Sequence, residues 1–273
     1  MAGSAPTPSR KYASLLSKAD QKRIKALQES KARAAEGCFV AEGLKLTEEL
    51  LGHFACELLV LPEHRYPELE PLLRRLPKGT APQRLELVPD SFDWTRISGL
   101  KQPQPQLAVL RLPQPNAPEK PEGLCLLLDR VQDPGNLGTI LRTADWFGIE
   151  HIYLASGTAD PFAPKVVQAT MGALARVRIH KVEDSVDFVR DFPGRRLGTY
   201  LDGTNLYTAP LPSPAEPALL IMGNEGQGIH PDLAPYIDLR LTIPPYPAAS
   251  THTESLNVAI ATALLLGELR RRC

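Results

Sequence analysis

The sequence predicts a two-domain α/β protein whose second domain is built on a mostly parallel sheet. Two observations carry this prediction. Short apolar runs alternate with helical stretches over the second half of the 273 residues, and a proline-rich stretch separates that half from a shorter α/β segment. Strands joined through helices run in one direction, and the helices cover both sheet faces, so such strands read as continuous apolar runs.

Residues 1–12 are small, polar and proline-containing and are expected to form a disordered tail. Between Ala13 and Leu51 the pattern is helical, broken at Gly37 to Val40 by a short strand-like step. Further strands are predicted at Glu57 to Leu61, Leu85 to Val88 and Leu107 to Leu110, completing a small domain over residues 13–112. The stretch PQPNAPEKPEG, residues 113–123, contains four prolines that extend the backbone and remove amide donors, as in a semi-rigid linker. Beyond it, residues 124–273 form the second domain. Its strands are predicted at Leu124 to Leu128, His151 to Leu154, Arg176 to Ile179, Leu197 to Leu201, Leu219 to Met222 and Leu239 to Ile243. In a sheet of this class, ligands gather at the carboxyl ends of the strands.

The composition, 43% hydrophobic and 23% charged, is that of a globular chain and excludes disorder throughout. Cys38, Cys56, Cys125 and Cys273 are widely spaced with no C-x-x-C pair, so neither a disulfide framework nor a metal site is expected. No apolar run reaches the roughly 20 residues that cross a bilayer, and the start of the chain has no secretory apolar core. These features predict a cytoplasmic protein without membrane contact. The net charge is zero, but Met1 to Ala35 holds eight basic residues against two acidic ones. Such a segment either tracks phosphates or is a solvated helix face or transit peptide.

Three segments of the second domain carry chemistry. In the first, a strand runs into DRVQDPGNLG and then a helix with Leu137, Ile140, Leu141, Ala144 and Phe147 on one stripe, ended by Gly148. Asn136 stands where a helix N-cap belongs, and Arg142 lies off the apolar stripe. In the second, an apolar strand ends in GNEGQG, Gly223 to Gly228, a turn through which backbone approaches a flat ligand closely. Its G-x-x-G-x-G spacing differs from the dinucleotide fingerprint, and Glu225 would repel a pyrophosphate, which argues against a nicotinamide oxidoreductase. In the third, IPPYPAASTHT leads to ESLNVAIATALLLGEL, where Ser255 is a good cap for a helix that is apolar almost all round. Asn257 in its first turn either caps locally or holds a ligand.

Together these segments resemble the three motifs of the SpoU (TrmH-like) branch of the knotted SPOUT RNA methyltransferases. N-L-G-x-x-x-R appears as Asn136 to Arg142, G-x-E-G-x-G as Gly223 to Gly228, and S-L-N as Ser255 to Asn257, in the family's order. ATMGAL, Ala169 to Leu174, resembles a further stretch that this family carries. In the first domain, Arg23 to Leu46 resembles the entry to the L30e-like RNA-binding domain found before this catalytic domain, which argues against a transit peptide. Lys22, Arg23, Lys31 and Arg33 are then expected to face RNA.

The resemblance implies an S-adenosylmethionine-dependent enzyme that methylates a ribose 2′-hydroxyl of structured RNA, ribosomal or transfer. It also implies a deep C-terminal trefoil knot, where general topology rules alone predict an open doubly wound sheet. The cofactor is expected against Leu201 to Gly203, the turn with Gly223, Asn224, Glu225 and Gly228, and Ile243 through Leu256. Arg142 takes the catalytic role, with Asn136, Glu225, Ser255 and Asn257 organising the site and Glu225 and Asn257 positioning Arg142 and the ribose. Guanidinium is normally a pure donor, so Arg142 is read either as the proton acceptor or as the group that fixes the target phosphate and stabilises the oxyanion. Family members are dimers, and the apolar final helix agrees with a homodimer here. The chain departs from the family pattern over residues 245–254, where an insertion brings His252 near the site as a further candidate base. The competing reading is a non-catalytic RNA-binding protein of ribosome assembly that retains the fold; it predicts degraded motifs, and here every polar motif residue is present.

Overall fold

A computed structural model describes residues 16–114, 121–213, 216–247 and 253–271. The chain divides into two compact units. One holds the described residues up to Gln114 together with Asp160–Ala175, and the other holds the rest.

The first unit opens with α1 (Lys18–Ala26), capped by Ser17, whose hydroxyl accepts from the Asp20 amide. Helix α2 (Ser30–Glu36) ends at Gly37, whose φ of 63° supplies the left-handed turn that a side chain would resist. The chain continues through β1 (Cys38–Glu42), α3 (Leu44–Leu50), β2 (Cys56–Pro62), α4 (Tyr66–Leu73), β3 (Arg84–Val88) and β4 (Leu107–Arg111). The strands lie in the order β1-β4-β2-β3, with β4 antiparallel to both neighbours and β2 parallel to β3. Every residue of β1 is buried, which accounts for its unbroken apolar reading. Glu42 at its end is buried too and is satisfied by the Ser98 hydroxyl at 2.6 Å and the Gln104 amide at 2.8 Å.

Helix α6 (Pro164–Thr170) belongs to this unit, although it lies far along the chain, and it packs against β1. The Phe162 ring lies 5.0 Å from that of Phe39. Arg33, expected to face RNA, is instead 3% exposed. Its guanidinium donates to Asp160 Oδ2 at 2.6 and 3.0 Å and to the carbonyls of Leu27 and Gln28 at 2.9 and 2.6 Å. A cation buried this deeply must be paired, so the sequence expectation is corrected here: Arg33 holds the Asp160 segment.

The second unit carries β5 (Leu124–Leu128), α5 (Pro134–Trp146), β6 (His151–Ala155), β7 (Arg178–Val182), α7 (Ser185–Arg190), β8 (Arg195–Asn205), β9 (Ala218–Met222), β10 (Leu239–Thr242) and α8 (Val258–Arg271). Among the described residues its six strands pair in parallel throughout, in the order β10-β8-β9-β5-β6-β7. Sequence order runs outward from β5 through β6 to β7, while β9 pairs on its other side. A topological switch point therefore lies between β5 and β9, where ligands bind beyond the strand ends. Helix α8 packs on α5. The parallel α/β sheet is the predicted fold class, and its strand order is consistent with the knotted arrangement that the family resemblance implies.

Two local readings are corrected. The N-cap of α5 is Asp133, not Asn136: its carboxylate accepts from the Asn136 amide at 2.8 Å, and Pro134 takes the first helical position, where its missing N–H costs nothing. Helix α8 is not buried all round, because Leu256 just before it and Ile260 and Leu264 on it are 48%, 54% and 40% exposed, one stripe at a spacing of four. Among the described residues no helix is long and apolar enough to cross a membrane, and no group of three or more His, Cys, Asp or Glu is placed to hold a metal ion.

Cys38, Cys56 and Cys125 are buried with free thiols, and burial pushes them up to about 11, about 12 and about 12. The thiolate is the nucleophile, so iodoacetamide at pH 8 should leave all three unmodified in the native protein and label them after denaturation. Peptide mapping by mass spectrometry checks this, and native-state labelling of any of the three would contradict the packing.

Candidate active site

The β5–α5 loop and the loop after β9 meet at the switch point. The turn from Gly223 to Gly228 is closed by two backbone hydrogen bonds between Asn224 and Gly228, at 3.0 and 2.9 Å. A Cβ on Gly223 would lie 2.2 Å from the Gly228 carbonyl carbon, so no side chain is admitted there. Asn224 Oδ1 accepts from the Gly226 and Gln227 amides, both at 3.0 Å, and its Nδ2 donates to the Arg130 carbonyl at 2.8 Å. Asn224 therefore shapes the turn from inside, while Glu225 stands exposed at its tip.

Glu225 is the end of a relay through all three motif segments. Its Oε1 accepts from Asn136 Nδ2 at 3.0 Å, and Asn136 Oδ1 accepts from Asn257 Nδ2 at 2.9 Å. Asn257 Oδ1 then accepts from the Ala259 and Ile260 amides at 2.9 and 3.3 Å, which makes Asn257 the cap of α8 in place of Ser255. A carboxylate only accepts, so it fixes the orientation of both amide side chains in turn. The amides of Gln132 and Asp133 also point at Glu225, each at 3.4 Å. Each exposed bond contributes about 0.5–1.5 kcal/mol, so the relay fixes geometry more than it stabilises the fold.

The structure brings Asn136, Glu225 and Asn257 together and leaves Ser255 and Arg142 outside the relay. Ser255 is exposed. Glu225 and Asn257, expected to position Arg142, bond through Asn136 instead. Arg142 is exposed on α5 and has no hydrogen bond or ion pair with a described residue. Every other arginine described in this unit has a partner. An uncommitted guanidinium on the helix that carries Asn136 is available to an anionic ligand.

The expected cofactor stretches offer suitable surfaces for S-adenosylmethionine. Leu201 is 77% and Leu256 48% exposed, apolar surfaces suited to a flat base. Ile243 is half-buried. On the glycine turn, a Cβ at Gly228 would meet nothing within 4 Å and one at Gly226 only Asn224 Oδ1 at 3.7 Å, so that side of the turn is open. At Gly203 a Cβ would lie 2.6 Å from the Leu241 backbone, where β8 and β10 approach closely at a shift of register. Open glycines, exposed apolar side chains and a carboxylate suit a ligand carrying a cationic sulfonium, an adenine and ribose hydroxyls. His252 lies outside the described residues.

Of the residues expected to face RNA in the first unit, Lys22 and Lys31 are exposed, while Arg23 pairs with Glu36 at 2.6 Å and Glu57 at 2.8 Å. Sequence reasoning missed Asp133 and Arg130 as organisers of the second unit's loops. The Asp-Pro pair before the helix marks the cap at Asp133.

Known proteins match the chain over both of its halves. The SpoU rRNA Methylase family pattern matches residues 123–267, and the MRM3-like substrate binding domain matches residues 19–108. The chain is similar to the 23S rRNA (guanosine(2553)-2'-O)-methyltransferase RlmP of Bacillus subtilis, 35% identical over 251 residues that cover 90% of this chain and 94% of the relative. A solved TrmH-family structure from Porphyromonas gingivalis superposes with a TM-score of 0.84 at 48% identity, covering 95% of this chain and all of that one. An AdoMet-bound rRNA methyltransferase from Sinorhizobium meliloti superposes with a TM-score of 0.75 at 32% identity, covering 92% of this chain and 94% of that one.

Proposed function

This chain belongs to the SpoU rRNA methylase family and is an S-adenosylmethionine-dependent methyltransferase of RNA ribose 2′-hydroxyls, and from that premise we propose that its substrate is ribosomal RNA and that Arg142 acts on the target ribose. Relatives from Bacillus subtilis and Streptomyces viridochromogenes are named for 23S rRNA guanosine and uridine 2′-O-methylation, which supports the choice of ribosomal over transfer RNA.

The observation that carries the site assignment is the Asn257–Asn136–Glu225 relay at the switch point, with an uncommitted arginine on the same helix as Asn136. S-adenosylmethionine supplies the methyl group on its sulfonium. The protein's own contribution is alignment of the 2′-oxygen and control of its proton. Leu201 to Gly203, Gly223 to Gly228 and Ile243 through Leu256 hold the cofactor. Glu225, locked by Asn136, presents a fixed carboxylate to the site. Arg142 binds the phosphate or the developing alkoxide of the nucleotide, where a fixed cation offsets charge as it forms. Lys22 and Lys31 of the first unit follow the RNA backbone, contacts that set affinity more than sequence choice.

Two copies pair through the exposed Leu256, Ile260 and Leu264 stripe, and the protein works in the cytoplasm on the ribosome's RNA. Light scattering on the purified protein should give twice the 29.9 kDa chain mass. Mapping 2′-O-methylation across total RNA with and without the gene tests the substrate. One ribosomal position should lose its methyl group, and a lost transfer-RNA position instead would overturn this reading.

A further inference from the structure

Arg130 occupies a backbone position that suits glycine. It follows β5 with a φ of 61°, the left-handed region where an L side chain costs about 1–2 kcal/mol. What it reaches from there offers a reason for the strain. Its Nη1 donates to Gln227 Oε1 at 2.9 Å and its Nη2 to the Gly228 carbonyl at 3.4 Å, both at the exit of the glycine turn. Its own carbonyl accepts from Asn224 Nδ2 at the turn's entry. Its Nε donates at 3.1 Å to Asp129, a carboxylate 2% exposed that also accepts from the His230 amide at 2.6 Å, two residues past the turn. Its amide is fixed by the Thr158 hydroxyl at 3.1 Å. One residue thus holds both ends of the turn against a buried anion, and the planar fork of arginine makes the three-way contact where a lysine ammonium would not.

We propose that Arg130 is a positioning residue that clamps the Gly223–Gly228 turn in its cofactor-holding shape and thereby sets the affinity for S-adenosylmethionine. The inference rests on the reading that this turn contacts the cofactor. Without the clamp, the turn keeps its internal Asn224 bonds but loses its fixed height relative to the β5–α5 loop, and Glu225 loses its register with Asn136.

Arg130→Gly is the discriminating variant, because it removes the guanidinium and also relieves the backbone strain. The expected result is a dissociation constant for S-adenosylmethionine, measured by calorimetry, weakened about tenfold by loss of charge-assisted bonds, with a lowered Tm, because the relieved backbone strain offsets only part of the cost of leaving the buried Asp129 carboxylate without its guanidinium. The KM for the cofactor should rise by the same factor, kcat at saturating cofactor should fall less, and the KM for RNA should hold. Arg130→Lys should recover only part of the affinity. Gln227→Ala, which leaves the backbone at Arg130 untouched, should weaken binding in the same direction and add little to Arg130→Gly, as expected for residues in one network. Wild-type affinity in both Arg130→Gly and Gln227→Ala overturns the clamp. Hydrogen exchange separates this from failure of the site itself: if S-adenosylmethionine does not protect the turn amides of the wild-type protein, the reading of the turn as cofactor site falls. Protection there together with unchanged affinity in the variants removes the clamp alone.

Discussion

Arg142→Ala should lower kcat by roughly 10²–10⁴, the range for loss of a positioned group that handles a proton or a developing charge, while leaving S-adenosylmethionine affinity within error. The argument is one of commitment. Arg142 bonds to no described residue, so its removal leaves no described group unpaired, and the Asn257–Asn136–Glu225 relay does not pass through it. A loss of rate in this variant therefore reports on the RNA side of the reaction. Single-turnover methylation of the target RNA, paired with calorimetric cofactor binding, gives both quantities. Arg142→Lys separates the two roles, since it keeps the charge but not the bidentate fork. Near-normal rates in Arg142→Ala would remove the residue from the mechanism altogether.

Arg33→Ala should destabilise the protein by about 3–5 kcal/mol, the usual cost of removing one partner from a buried ion pair. Its side chain is 4% exposed, and four of its hydrogen bonds end on Asp160, Leu27 and Gln28. Asp160 keeps some access to water at 29% side-chain exposure, which places the effect toward the lower end. For a chain of this size that corresponds to a Tm lower by roughly 6–12 °C. Thermal unfolding by circular dichroism checks it. A Tm within a degree or two of the wild type would mean that the segment holding Asp160 is kept in place by α6 and Phe162 alone.

How far the sequence reached depended on the length scale of the physics involved. Each predicted strand is present, and the clearest are those buried on both faces, which read as unbroken apolar runs, as in Cys125 to Leu128 and Leu219 to Met222. The strand predicted at Arg176 to Ile179 is found at Arg178–Val182, where polar residues blur the boundary. The cap of α5 was misassigned because Asp133 and Asn136 are both good capping residues, and only the position of Pro134 chooses between them. Ser255 and Asn257 present the same ambiguity at α8. In the candidate active site, residue types and order were legible, since motif spacing is local. Which of them touch was not: Asn136 meets Glu225 and Asn257 across 89 and 121 positions of chain, a consequence of strand order. Arg33 shows the limit most plainly. Its basic neighbours suggested a phosphate contact, and nothing nearby in sequence announces Asp160.

The lodging of Asp160–Ala175 in the first unit also bears on the order in which the protein is made. These residues follow β6 in the chain, so they leave the ribosome well after the rest of that unit, β1 to β4, has been completed. Until they arrive, one face of β1 lacks α6, the Phe39 ring lacks Phe162, and Arg33 lacks its anion. The first unit must wait through the synthesis of β5 and α5 before it can close, and a chain cut after Gln114 never supplies what it is waiting for.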